Sequence, residues 1–312
     1  MVNARGKFVR ASGFHAPVCG EVECLSDALI AVGEDGTITD LVRPDDSRYD
    51  VVLAAAKTAG SLVEMPEGTW LLPGFVDLHI HAPQYPQLGN ALDVPLEVWL
   101  QKYTFPIEAR YADIAFARHA YSMLVDDLLA CGTTTAVYYG TIHDEANRLL
   151  ADICVAKGQR ALIGKVAMDN ADECPDYYRD ESVADSVAGT VGLIEHIRNH
   201  PDNGENRVLP VVTPRFIPSC TDELLAELGA IAGAHAGCRS AVSLRSLSWL
   251  NRHCSKRSWL GRSRGRWSTR TRTAPRFGTS TRQRPCMSCW YHARSFPRWR
   301  TPVSRTRNSW GT

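Results

Sequence analysis

Pro73-Gly74-Phe75-Val76-Asp77-Leu78-His79-Ile80-His81 is the stretch whose reading decides this chain. The apolar run from Leu71 predicts a strand ending on two histidines one residue apart. Residues two apart in a strand share a face. His79 and His81 are therefore expected to leave the strand end together. Two imidazoles on one side can share a divalent metal, and zinc is the usual ion for nitrogen ligands. A bare His-x-His is more often a pair of ordinary surface or core histidines, so the surroundings must arbitrate.

Downstream, strand and helix signals alternate. Amphipathic periodicity over Ala112 to Ala130 predicts a helix stopping at Gly132, and the β-branched and aromatic run Thr133 to Thr141 predicts a strand. A helix over Asp144 to Lys157 stops at Gly158. Then come strand Arg160 to Met168, helix Val183 to Asn199, strand Val208 to Phe216 and helix Thr221 to Ala234. Asp169 to Glu181 reads as an extended loop. Four βα units of this length imply a parallel sheet with right-handed crossovers, either a barrel or an open sheet. Upstream, Ala28 to Val32, a turn at Glu34-Asp35-Gly36 and Ile38 to Val42 form a hairpin pattern. Together with the run Ser61 to Met65, it predicts a small β domain over residues 1–68.

The 312 residues can bury a substantial core, and 44% hydrophobic with 22% charged residues is ordinary for a globular protein. No apolar run reaches the roughly 18–20 residues that span a bilayer. The first residues lack the apolar stretch of a secretory signal. The ten cysteines then read as reduced thiols, and the expected compartment is the cytoplasm, with no membrane partner. The formal net charge of +1 conceals two opposite halves. All 34 acidic residues lie at or before Gly237, whereas 238–312 carry 17 arginines and Lys256, with six of the eight tryptophans.

With its continuation, the histidine stretch resembles the first-strand metal signature of the amidohydrolase superfamily. Ala82-Pro83-Gln84-Tyr85, Pro95-Leu96-Glu97-Val98-Trp99-Leu100, Lys102-Tyr103-Thr104-Phe105-Pro106 and Thr213-Pro214-Arg215-Phe216 are similar to the guanine deaminase family within it. The similarity runs from about residue 20 to about residue 237. It implies an α/β fold: a (β/α)8 barrel, of which 69–237 would be the first four βα units, with a small N-terminal β-sandwich. It also implies one Zn2+ held by His79 and His81, Gln84 on the purine edge, and Arg215 with Phe216 at the guanine carbonyl. Donor chemistry is consistent with this, since guanidinium suits a carbonyl oxygen and an amide can donate and accept along a ring edge. Read alone, Gln84 is an exposed loop residue and Arg215 a structural ion-pair partner. The aromatics Trp99, Tyr103 and Phe105 read as core rather than site. The implied reaction is hydrolytic: water activated at zinc adds to the amino-bearing ring carbon, ammonia leaves, and guanine becomes xanthine. Homodimers are implied by the same resemblance.

The resemblance also sets requirements that 238–312 does not meet. The family places a His-x-x-Glu segment at the fifth strand, a further His at the sixth and an Asp at the eighth. The fifth strand is expected near residue 240, where Cys238-Arg-Ser-Ala-Val-Ser-Leu-Arg-Ser-Leu-Ser-Trp249 stands without histidine or acid. Only His253 and His292 follow. Arg, Ser, Trp, Thr and Pro accumulating without acids or periodicity fit translation out of frame. The competing readings are a basic tail that binds nucleic acid and an alternatively spliced end. No motif organises the charge, so a nucleic-acid partner is not expected. Cys286 and Cys289 resemble half of a cytidine-deaminase zinc signature. The only His-x-Glu, at His143, lies too far upstream to complete it and is expected to start a helix. Another purine or triazine deaminase of the superfamily is the alternative enzyme.

Overall fold

The computed structural model describes residues 4–18 and 20–235, with the backbone of two short strands, 239–240 and 290–293. Two compact units divide at Pro73/Gly74, a few residues beyond residue 68, where the strand pattern placed the end of the β domain.

The N-terminal unit is one mixed sheet with a helix. Strands β1 (Lys7–Val18), β2 (Glu21–Val32) and β3 (Ile38–Val42) run antiparallel in sequence, and Gly36 takes the left-handed conformation that the Asp-Gly turn needs. The twelve residues of β1 are long enough to pair two short parallel partners on their other edge. These are β4 (Leu62–Glu64) and β5 (Trp70–Pro73). The strand Trp290–Ala293 pairs antiparallel with β5. Period-2 burial leaves Val9, Ala11, Ile30, Val32 and Leu71 in one cluster. Leu29, Val42 and Tyr49 form another, with α1 (Tyr49–Thr58) supplying Val52 and Leu53. That alanine-rich helix was not foreseen. It is anchored by the Tyr49 hydroxyl, which donates to the Asp27 carbonyl at 2.6 Å. A second sandwich layer is not among the described residues.

The second unit opens with β6 (Phe75–His81). The run Leu71–His81 is thus two strands rather than one, broken at Gly74. Glycine is required there because a Cβ would stand 2.0 Å from the Thr134 hydroxyl oxygen. The segment after β6 is a series of short helical pieces, interrupted by turns over 88–95, where the sequence suggested no element. It has a 3-10 turn at Ala82–Gln87, α2 (Leu96–Trp99), a π turn at Leu100–Thr104 and α3 (Phe105–Ala109). Regular alternation follows: α4 (Ile114–Ala130), β7 (Thr133–Tyr139), α5 (Asp144–Lys157), β8 (Arg160–Gly164), β9 (Val166–Ala167), α6 (Val183–Arg198), β10 (Val208–Pro214), α7 (Asp222–Ala234) and β11 (Arg239–Ser240).

Local chemistry explains the boundaries. Asp113 accepts from the Ala115 and Phe116 amides to start α4, and Ser182 and Thr221 do the same for α6 and α7. Gly158 ends α5 in the left-handed region. His143 occupies the N-cap of α5, as expected from its place before that helix.

Every strand pairing of this sheet is parallel, and its order is β11-β10-β8-β7-β6, with β9 beside β10. Consecutive strands are neighbours, and α4 packs on α5, α5 on α6 and α6 on α7. That progression is the wall of a (β/α) barrel, not a doubly wound sheet, in which the order would reverse. The main core lies between strands and helices, with Ala136, Tyr138, Ala161 and Ile163 meeting Leu124, Leu150, Cys154 and Ile197. The fifth strand falls at residues 239–240, where the sequence reading placed it.

Candidate active site

The C-terminal ends of β6 and β10 and the helical segment after β6 bring the expected residues into two groups. The first is on β6. Between Asp77 and Ile80 the pairing with β7 slips by one residue, a bulge of the kind that re-aims side chains beside active sites. Beyond it, the His79 and His81 rings stand 5.1 Å apart edge to face, and both lean on Tyr139, at 4.5 and 4.9 Å. The Asp77 carboxylate accepts from the His79 amide at 3.0 Å and pins the bulge.

His81 tests whether this pair suits a metal. Its Nδ1 is buried with no hydrogen-bond partner, a costly state for a polar atom that a ligand would relieve. Burial, and then the positive charge of Arg215, lower its pKa to about 4, so the ring stays neutral, as metal ligation demands. The pair fits as two of a metal's ligands. Among the described residues no cluster of three or more His, Cys, Asp or Glu side chains is arranged to hold an ion.

The second group is gathered by a residue the sequence reading missed. Glu108 on α3 is fully buried and receives both terminal nitrogens of Arg215, the Nη2 bond being 3.0 Å long. Gln84, on the 3-10 turn after β6, donates its amide Nε2 to the same carboxylate at 2.9 Å. The two residues expected on a substrate, 131 positions apart in the chain, therefore share one anchor. Arg215 also stacks over Phe105 at 5.0 Å, which places Phe105 beside the site although it is core by burial. Burial opposes the Arg215 charge, yet Glu108 outweighs it and holds the guanidinium above its ordinary pKa. The backbone is pinned as well: the Arg215 amide donates to Ala167 on β9. Phe216 is half-buried and extended, with its amide and carbonyl both tied to the Ser219 hydroxyl.

Around these groups Tyr139, Phe105, Val166, Met168, Cys174 and Tyr178 form an apolar layer at the strand ends. The loop 169–181, expected as extended, is tied to it by the buried Lys165–Asp180 ion pair and by Asp180 accepting from the Met168 amide at 2.9 Å. Two imidazoles on one strand, that of His81 held neutral, with a guanidinium and an amide, all at the C-terminal face of a parallel sheet, suit polar recognition beside a metal. The amidohydrolase family pattern matches residues 70–256.

The chain belongs to the amidohydrolase family. Members of this family typically use a divalent metal ion. Among proteins of known role, guanine deaminase of Dictyostelium discoideum is 41% identical over 231 residues, covering 72% of this chain and 50% of the relative. Guanine deaminase of Mus musculus is 40% identical, covering 74% and 48%. The solved guanine deaminase from C. acetobutylicum, which holds guanine in its active site, superposes with a TM-score of 0.65 at 30% identity. It covers 73% of this chain and 50% of that one. This amidohydrolase chain spans about half the length of the curated relatives it matches. His253, His292, Cys286, Cys289 and the basic character of 238–312 lie outside the described residues, apart from the backbone of the two short strands.

Proposed function

We propose that this chain carries the metal-binding and purine-binding half of a cytoplasmic, zinc-dependent guanine deaminase, which converts guanine to xanthine and ammonia and works as a homodimer. In this reading 1–68 is the small β domain, 69–237 the first four βα units, and 238–312 an out-of-frame end. The observation that carries it is the joining of Gln84 and Arg215 through Glu108, close enough to the histidine strand for Arg215 to bear on His81.

His79 and His81 would hold the ion, backed by Tyr139. When bound, the metal supplies an activated water for addition at the amino-bearing ring carbon. Arg215 donates to the ring carbonyl and draws charge onto it as the ring is attacked. Gln84 hydrogen-bonds the adjoining edge, and Phe216 flanks the base beside Arg215. Turnover needs, in addition, a carboxylate that moves a proton to a ring nitrogen. Glu108 is committed to Arg215 and Gln84, and no Asp or Glu follows Gly237. The chain as written is therefore expected to bind metal and purine without releasing ammonia.

The decisive experiment translates the underlying DNA past codon 237 in its other frames and expresses the product. The expected frame contains a His-x-x-Glu strand, and the restored protein consumes guanine with zinc bound. Replacing both His79 and His81 by alanine should abolish metal content and turnover together. A restored protein that carries zinc yet leaves guanine untouched would refute the substrate assignment.

A further inference from the structure

Glu108 does more than neutralise a buried arginine. A carboxylate offers only acceptors, so the amide of Gln84 must turn its Nε2 towards it; the reverse flip would set oxygen against oxygen. Among the described residues nothing bonds the Gln84 Oε1, which is left as the outward acceptor of that side chain. Arg215 meets the same carboxylate end-on through both Nη atoms, so the hydrogens it has left can only donate. The three side chains thus present a fixed order: acceptor from Gln84, donors from Arg215. The Arg215–Glu108 pair is also neutral as a unit and is excluded from solvent, at 5% and 0% exposure.

We infer that Glu108 is a positioning residue that sets the hydrogen-bond polarity and the charge of the purine site, so that it selects a neutral 6-oxopurine. Such a ring offers a carbonyl oxygen to the Arg215 donors and a lactam N–H to the Gln84 acceptor. A 6-aminopurine places an amino group against donors, leaving buried polar groups mismatched. A purine anion gains nothing from a guanidinium already neutralised. This inference rests on the proposed purine site and asks what enforces its preference.

The test is binding of hypoxanthine, adenine and urate to the full chain by isothermal titration calorimetry at neutral pH. Hypoxanthine is expected to bind roughly tenfold or more tighter than adenine. In Glu108→Gln the carboxamide can offer a donor or an acceptor, so Gln84 can flip. The hypoxanthine preference should fall about tenfold, while affinity for the urate anion rises. A merely structural loss would weaken all three ligands alike. Should that buried variant fail to fold, Gln84→Leu at the half-buried turn serves instead. It should cost hypoxanthine about tenfold and leave adenine unchanged. Wild type binding no purine overturns the site and this inference together. Wild type that prefers hypoxanthine, with the ratio and urate affinity unmoved in Glu108→Gln, overturns the role of Glu108 alone; adenine losing as much as hypoxanthine in Gln84→Leu does the same.

Discussion

Strands β6 and β7 lie side by side in one parallel sheet, yet their surroundings are opposite. Phe75, Val76 and Leu78 on β6 are 62%, 57% and 71% exposed, whereas β7 is buried from Thr134 to Tyr139. Among the described residues β6 has a strand neighbour on one side only, while β7 is flanked by β6 and β8 and covered by α4 and α5. β7 has no charged residue and is regular against β8; β6 carries Asp77, a bulge and both histidines. The interior strand supplies stability, and its neighbour spends regularity on aiming side chains. Tyr139, the last residue of β7, joins the two roles by backing both imidazoles.

Urea unfolding of single variants can break this contrast. The largest effect is expected from Tyr138→Ala. The ring is fully buried among α4 and α5 side chains, and its hydroxyl donates to Gln159 at 2.8 Å. A loss of about 3–5 kcal/mol is expected; a loss below about 1 kcal/mol would mean that β7 is not the structural strand. Gly74→Ala should come next, at about 1–3 kcal/mol, because the new methyl must displace Thr134 where the two strands begin. An unchanged midpoint there would show that the start of β6 can yield. The smallest effect belongs to Leu78→Ser, expected within about 0.5 kcal/mol for an exposed side chain. A marked destabilisation would reveal that something covers this face of β6, and the comparison would have to be redrawn.

Element types were legible wherever a single period ran long enough. The helices at 144–157, 183–198 and 222–234 and the strand at 133–139 fall within a residue or two of the pattern, since hydrophobic periodicity and caps such as Ser182, Thr221 and Gly158 act locally. The break at Gly74 escaped because apolar character is continuous across it; only the separate partners of β5 and β6 reveal two strands. The helical insertion after β6 escaped because its turns are too short to show a period. Glu108 lay within it as one acid on a five-residue helix, indistinguishable in sequence from a surface charge.

Sequence alone determined the alternation of strand and helix, the histidine pair at a strand end and the charge break at Gly237, because periodicity, spacing and composition are properties of neighbouring residues. It also named Gln84 and Arg215 through their resemblance to a family. Tertiary structure decided that consecutive strands are neighbours in a barrel wall, that a bulge and Tyr139 orient the imidazoles, and that one buried carboxylate holds Gln84 and Arg215 together. Those facts depend on which distant groups desolvate one another, and a linear pattern does not encode that.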